Sequence, residues 1–263
     1  MIDDAFHQWA TATDATAPAS GMPDELWAAA DVIESQPTLG AALIDPGHAP
    51  EQRTQVVEGV FGNTLTTTAV AAVGQAAALE WPDPAALVAA LRRMAVRQTW
   101  RLAEATGVAD DVHGQVAQVA DTVLGQPRLE LILNGAGVPA EQRRGVVAEL
   151  CGGLHPLARQ VAGYAVVDDG RGYVDALEDW LDEASDIRGH QRVRAAFAQA
   201  PDAAQSRRLA SELERIYGKP VDVEIHLDAA VIGGARLRIG DDVIDGSVAA
   251  RLEQARRDIS GQA

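Results

Sequence analysis

The stretch VDVEIHLDAAVIGGARLRIGDDVIDGSVAARLEQARR, Val221 to Arg257, decides what kind of domain follows the long helical part of this chain. Val221, Val223, Ile225 and Leu227 alternate with Asp222, Glu224 and His226, the period-two pattern of a half-buried strand. A second strand has Ala235, Leu237 and Ile239 facing inward and Arg236 and Arg238 outward. Gly240-Asp241-Asp242 is turn chemistry, after which Val243-Ile244 is expected to pair back. Asp245 or Ser247 is then expected to cap a last helix whose apolar stripe is Val248, Leu252, Ala255 and Ile259. Gly233 and Gly234 supply a bend or close backbone approach that a side chain would block, and Gly246 a tight turn. These are building roles rather than ligand contacts.

Upstream, Val193, Ala195 and Phe197 alternate with polar neighbours and predict another strand. Asp202 is placed to cap a helix with Leu209, Leu213 and Ile216 on one face, stopped by Tyr217-Gly218-Lys219-Pro220. Residues 190–263 therefore read as a small α+β domain.

The chain before it contains a duplication. Asp31–Gly62 aligns without a gap on Asp121–Gly152 at a constant offset of 90, sharing Gln-Pro-x-Leu and Glu-Gln-Arg. Leu87/Leu177 and Leu91/Leu181 continue it at the same offset. Pro37 and Pro127 suit the first turn of a short helix, where a missing N–H costs nothing. Each Glu-Gln-Arg run opens a further helix, with Val56, Val57 and Val60, and Val146, Val147 and Leu150, as the expected stripes. A unit of this length with several short helices is a small bundle. Between the copies, the helix expected over Pro84–Thr106 puts Leu87, Leu91, Met94 and Leu102 in one arc and Val96, Trp100 and Ala103 opposite. A helix apolar on two opposed faces is usually buried on both, so this one is expected either to close the first bundle and open the second or to be one ordinary long core helix. The chain thus reads as mainly α, with tandem small helical bundles followed by a small α+β domain: residues 1–83 an extra helical repeat, 84–189 a second repeat, 190–263 the C-terminal domain.

Composition narrows the function. Hydrophobic residues make up 47% of the 263 positions, enough for a core, while aromatics are only 4%, which favours helices packed through small side chains. The net charge of −16 argues against nucleic acid or an anionic membrane surface as the main partner. Residues 190–263 hold 11 basic and 11 acidic side chains, so the whole excess lies in the helical part. Cys151 stands alone, which rules out an internal disulfide and fits a reducing compartment. No run approaches the ~18–20 apolar residues of a membrane span, and the N-terminus lacks the pattern of a signal peptide.

Catalytic chemistry does not emerge. The Gly-Gly pair is not followed by the lysine and hydroxyl of a phosphate loop. Asp241, Asp242 and Asp245 lack the alternating spacing of a calcium loop. His7, His48, His113, His155, His190 and His226 are scattered, with no metal-ligand spacing. Cys151 and His155 lack a third, orienting group. No catalytic, cofactor-binding or metal residue is assigned.

The ordered set Asp228, Ile232-Gly233-Gly234, Gly240-Asp241, Asp245-Gly246-Ser247 and Arg251-Leu252 closely resembles the signature of F-type ATP synthase delta subunits, whose mitochondrial counterpart is the oligomycin-sensitivity-conferring protein. One departure is Ala229, where the family commonly has proline. Met94 to Arg188 resembles the family's N-terminal helical domain, so the resemblance covers roughly residues 94–260. The preceding copy resembles the enlarged delta of actinobacteria. The resemblance implies a non-catalytic peripheral-stalk subunit without cofactor, held at the cytoplasmic face of the cell membrane through its complex. It would link the alpha/beta catalytic head to subunit b so that rotor torque drives ATP synthesis. Its implied partners are the N-terminal segments of alpha and the C-terminal helix of b, with no nucleic acid and no direct membrane insertion. The family's alpha-binding groove maps to Val96, Trp100, Leu157 and Val161. A tandem-bundle adaptor unrelated to ATP synthase is the alternative; it leaves the C-terminal signature as coincidence.

Overall fold

A computed structural model describes residues 2–135, 137–167, 170–228, 231, 233–240 and 242–246. Ile232, Asp241, Ser247 and the last expected helix lie outside the described residues. The chain forms two compact units, Met1–Leu181 and Asp182–Ala263. Both helical copies thus share one unit, and the division falls inside a helix, Tyr173–Arg188, rather than near 83 or 189.

In the first unit, α1 (Ile2–Asp14), α2 (Met22–Ser35), α3 (Pro37–Ile44), α4 (Pro50–Phe61) and α5 (Thr67–Ala78) precede the long α6 (Pro84–Thr106). Then come α7 (Ala109–Leu124), α8 (Pro127–Leu133), α9 (Ala140–Leu150), α10 (Pro156–Tyr164) and α11 (Tyr173–Arg188). Proline occupies the first turn of α3, α4, α6, α8 and α10, where its fixed φ suits the helix and no backbone bond is lost. Asp83 caps α6 by accepting from Ala86 N at 2.7 Å. Gly107, at φ +72, ends it with an N–H to the Glu104 carbonyl. That left-handed conformation costs any other residue.

The duplication is visible in the burial register. Met22, Leu26, Ala29, Ala30 and Ile33 of α2 are buried, as are Val112, Val116, Val119, Ala120 and Val123 of α7, each 90 residues later. The same offset relates Leu43 to Leu133, Leu87 to Leu177 and Leu91 to Leu181, all buried. It also relates α1 to α6: Phe6, Trp9, Ala10 and Thr13 are buried, and so are Val96, Thr99, Trp100 and Ala103. α6 is therefore the last helix of the first bundle and the first helix of the second. It packs on α1, α2, α3 and α5 on one side and on α7 and α10 on the other. Leu87, Leu91, Met94 and Val96 are wholly inaccessible, each contributing about 1.5–3 kcal/mol by burial. Leu102, expected among them, is only half-buried.

The stripes of α4 and α9 differ from the sequence expectation. Arg53, Val57 and Phe61 face inward, and likewise Arg143, Val147 and Cys151. Val56 and Val60 are exposed. The arginine sets the rotation: Arg53 donates to the carbonyls of Leu79 and Ala78, at 2.9 and 3.1 Å, satisfying the end of α5. Arg143 donates to Val138 O and Leu133 O at the end of α8. Turning the helix to bury the guanidinium carries Val57 and Val147 inward and the neighbouring valines outward.

The second unit holds β1 (Gln191–Phe197), α12 (Ala203–Tyr217), β2 (Val221–Leu227), β3 (Ala235–Ile239) and β4 (Asp242–Asp245). The sheet order is β2-β1-β3-β4. β1 and β2 are parallel, with Val193 opposite Val223; β3 runs antiparallel to β1 and to β4. Asp202 caps α12 through a reciprocal pair with Gln205, and Gly218 at φ +67 ends it. Val193, Leu213 and Ile239 form the core, with Leu209, Tyr217, Val221, Val223 and Leu237 against it. Ile216, expected on that face, is 63% exposed. Its place is taken by Tyr217, which continues the four-residue spacing from Leu209 and Leu213. Ile225 and Leu227 are also exposed, so α12 covers only one end of the apolar sheet face.

Candidate protein-interaction site

The residues singled out in the sequence fall into two groups. In the second unit, Gly233, Gly234 and Gly240 have φ of +68, +77 and +56, so each occupies a conformation other residues adopt only under strain. Asp228 closes a turn: its N–H donates to Phe197 O at 2.9 Å, and its carbonyl accepts from Val231 N at 3.1 Å. Asp245 is the last residue of β4, opposite Arg236; the helix it was expected to cap lies outside the described residues. Arg236 stands 3.7 Å from the Asp228 carboxylate and 3.6 Å from that of Asp245. One guanidinium thus ties together two signature carboxylates 17 positions apart in the chain. Gly246 N donates to Ala235 O, and a Cβ there would lie 3.1 Å from that oxygen.

The opposite sheet face is charged and internally paired. Arg192, 5% exposed, donates to Glu224 at 2.8 and 2.7 Å and to Asp182 at 3.0 Å. Asp222 accepts from Ser185 at 2.9 Å, lies 2.9 Å from His190 Nδ1 and 3.5 Å from Arg188. Burial alone would raise the Asp222 carboxyl, but the bonds from His190 and Ser185 and the Arg188 charge outweigh it, holding it below the usual carboxylate value. The alternation of Asp222 and Glu224 marked them as the solvent side; it gave no sign that Arg192 and His190 would be brought to them.

In the first unit, α6 carries Val96 and Trp100 and α10 carries Leu157 and Val161, and the two helices pack on each other. Val96, Trp100 and Val161 are buried, and Leu157 is half-buried. The Trp100 ring lies 6.1 Å from that of His113, and its indole N–H has no acceptor among the described residues. His155 serves α10 as cap, its Nδ1 accepting from Leu157 N at 3.3 Å. Cys151 is inaccessible, and burial pushes its thiol up to about 11, which removes the thiolate needed for nucleophilic chemistry near neutral pH. No group of three or more metal-ligating side chains occurs among the described residues.

Sequence reading missed the clamp that joins the two copies. Trp27 on α2 stacks on Tyr164 of α10, ring centroids 4.1 Å apart and 7° from parallel. The Arg92 guanidinium of α6 lies over the Trp27 ring, 5.4 Å from its centroid, and is held by Glu34 and Asp31 at 2.6 and 2.9 Å. The Tyr164 hydroxyl and Gln160 both donate to Asp24, each at 2.7 Å. Arg93, Arg97 and Arg101, one per turn of α6, grip α1: Arg93 over Phe6, Arg97 on Asp14, and Arg101 on the carbonyls of Asp14 and Thr16. The two cations at the end of α1 also favour its helix dipole.

These folds and turns define tandem helical copies followed by a small α+β unit with a marked C-terminal signature, and comparison with known proteins places it. Residues 99–259 match the profile of the ATP synthase delta (OSCP) subunit family. ATP synthase subunit delta of Parafrankia sp. is 35% identical over 239 residues, covering 90% of this chain and 85% of that one. The corresponding subunit of Rhodococcus opacus is 33% identical, covering 93% and 89%; that of Corynebacterium urealyticum is 30% identical, covering 90% and 87%. A chain of the Toxoplasma gondii mitochondrial ATP synthase hexamer covers 64% of this chain at 18% identity and a TM-score of 0.39. The chain belongs to the ATP synthase delta (OSCP) subunit family. The actinobacterial relatives match it through the first helical copy as well as the second.

Proposed function

We propose that this chain is a stator component: it fastens the alpha/beta catalytic head to subunit b, so that torque from the rotor drives ATP synthesis rather than spinning the head. The observation that carries this reading is the C-terminal signature, Gly233-Gly234, Gly240, Asp245-Gly246, built into the sheet of a chain whose relatives span it nearly end to end. The subunit has no active site of its own in this reading and lies peripherally at the cytoplasmic face of the cell membrane, held there by its complex. No helix among the described residues is long and apolar enough to cross a membrane, which is consistent with attachment through partners.

Alpha N-terminal segments dock at the α6/α10 seam as amphipathic helices, and the C-terminal helix of b docks on the second unit. In the seam, Val96, Trp100 and Val161 form the floor and Leu157 the accessible lip; the unaccepted Trp100 N–H supports a polar anchor there. The single unit formed by the two copies suits a load-bearing part, because torque is transmitted only by an element that does not bend. The test is binding of a synthetic alpha N-terminal peptide by calorimetry. Leu157→Glu is expected to weaken binding at least tenfold with the melting temperature unchanged. Undiminished binding by the folded variant overturns the seam assignment.

A further inference from the structure

Within the first unit, a cleft of about 460 Å³ opens between the two helical copies. The first copy supplies Ile33 of α2 and Pro37 of α3, and the shared α6 supplies Val88 and Ala89. From the second copy come Val167, between α10 and α11, and Trp180 of α11. Two guanidinium groups, Arg92 and Arg171, also border it. A concave, mainly apolar cleft of this size with a few polar groups is the form of a small-molecule site.

The polar groups define the class of ligand. Arg92 is already matched by Glu34 at 2.6 Å and Asp31 at 2.9 Å, and Arg171 by Asp179 at 2.6 Å. Three carboxylates beside two cations leave no positive charge for an anion to neutralise. What the cleft lacks is acceptors. Trp180 is 4% exposed, and its indole N–H has no acceptor among the described residues; nor has the Nε–H of Arg92. A buried donor left unpaired is costly. A carbonyl oxygen supplies the missing acceptor, whereas an ammonium brings only further donors. We propose that the cleft binds a neutral, mainly apolar small molecule bearing a carbonyl-type acceptor. Its body lies against Val88, Ala89 and Val167, and its oxygen takes the Trp180 indole N–H. Because both copies wall the cleft, the bound molecule fastens them together and stabilises the unit. This site stands on the cleft itself and not on the stator reading.

The test uses the full chain, isotope-labelled at its five tryptophans, with indanone as the probe and the indole N–H resonances followed by NMR. The Trp180 resonance, identified by its loss in Trp180→Phe, is expected to move saturably. Those of Trp9 and Trp100, also without acceptors but outside this lining, are expected to stay in place. Indane, which lacks the oxygen, and its charged relatives indane carboxylate and aminoindane are each expected to bind at least tenfold more weakly than indanone. Trp180→Phe is expected to lose at least tenfold in indanone affinity while its affinity for indane is unchanged. Ala89→Phe fills the cleft from an exposed position and is expected to abolish binding with the melting temperature of the free protein unchanged. A Trp180 resonance that does not move, or all five moving alike, overturns the proposal. So does binding of indane, the carboxylate or the amine as tight as that of indanone, or undiminished binding by folded Ala89→Phe.

Discussion

Trp27→Ala removes the ring that joins the first helical copy to the second. Trp27 is 8% exposed, stacked on Tyr164 and within 5.4 Å of the Arg92 guanidinium. Burying a tryptophan hides about 150–250 Å², which at about 25 cal/mol per Å² is worth about 4–6 kcal/mol. Observed truncations of buried aromatics cost about 3–5 kcal/mol, and that range is expected here. For a unit of this size each kcal/mol lowers the melting temperature by about 2–4 °C, so a drop of about 6–20 °C follows. A double-mutant cycle with Tyr164→Leu isolates the contact between copies, with an expected coupling of about 0.5–1.5 kcal/mol beyond burial. The assay is urea unfolding followed by circular dichroism, with hydrogen exchange reporting each copy separately. Both copies are expected to lose protection together in one transition. A coupling energy near zero, or a Trp27→Ala protein whose α7–α10 core keeps its full protection while α2–α5 opens, refutes the single-unit account.

Further expectations follow from other contacts. Arg53→Met keeps the stem of the side chain but leaves the Ala78 and Leu79 carbonyls without their donors; a loss of about 1–3 kcal/mol is expected in denaturant unfolding, and Arg53→Lys is not expected to restore both bonds. Gly107→Ala meets no neighbouring atom but forces alanine to φ +72, which is expected to cost about 1–2 kcal/mol and to show as a lowered melting temperature. Asp222 is held below its ordinary carboxylate value, so its contribution is present above the unfolded-state value of about 3.9 and is lost as pH falls through the lower folded-state value. The second unit is therefore expected to weaken below about pH 4, and Asp222→Asn to flatten that acid limb in a pH series of thermal melts.

The architecture was legible wherever one residue type met one period. The Pro84–Thr106 helix showed two apolar arcs, and the structure buries both because the helix belongs to two bundles at once. The strands of the second unit followed from alternation, since a side-chain period of two leaves little freedom. What stayed hidden has a common cause: it depends on partners far away in the chain. The buried Arg53 and Arg143 turn their helices because distant helix ends need donors, and nothing in Glu-Gln-Arg names those carbonyls. Ile216 and Tyr217 are adjacent and both suit an apolar face; the four-residue spacing from Leu213 decides between them only once the sheet is in place. The Trp27–Tyr164 stack joins positions 137 residues apart, beyond any local pattern. For Val96, Trp100, Leu157 and Val161, the sequence located the helices, while the fold alone shows that Leu157 is half-buried and the other three are buried.

The most direct test of the central claim is proton-driven ATP synthesis by membranes stripped of their head and delta subunit, then rebuilt with purified head with or without this protein. With the protein present, synthesis is expected to return in proportion to the amount added, and without it the rebuilt membranes are expected to make no ATP although the head still hydrolyses it. Equal synthesis in its absence would contradict the account.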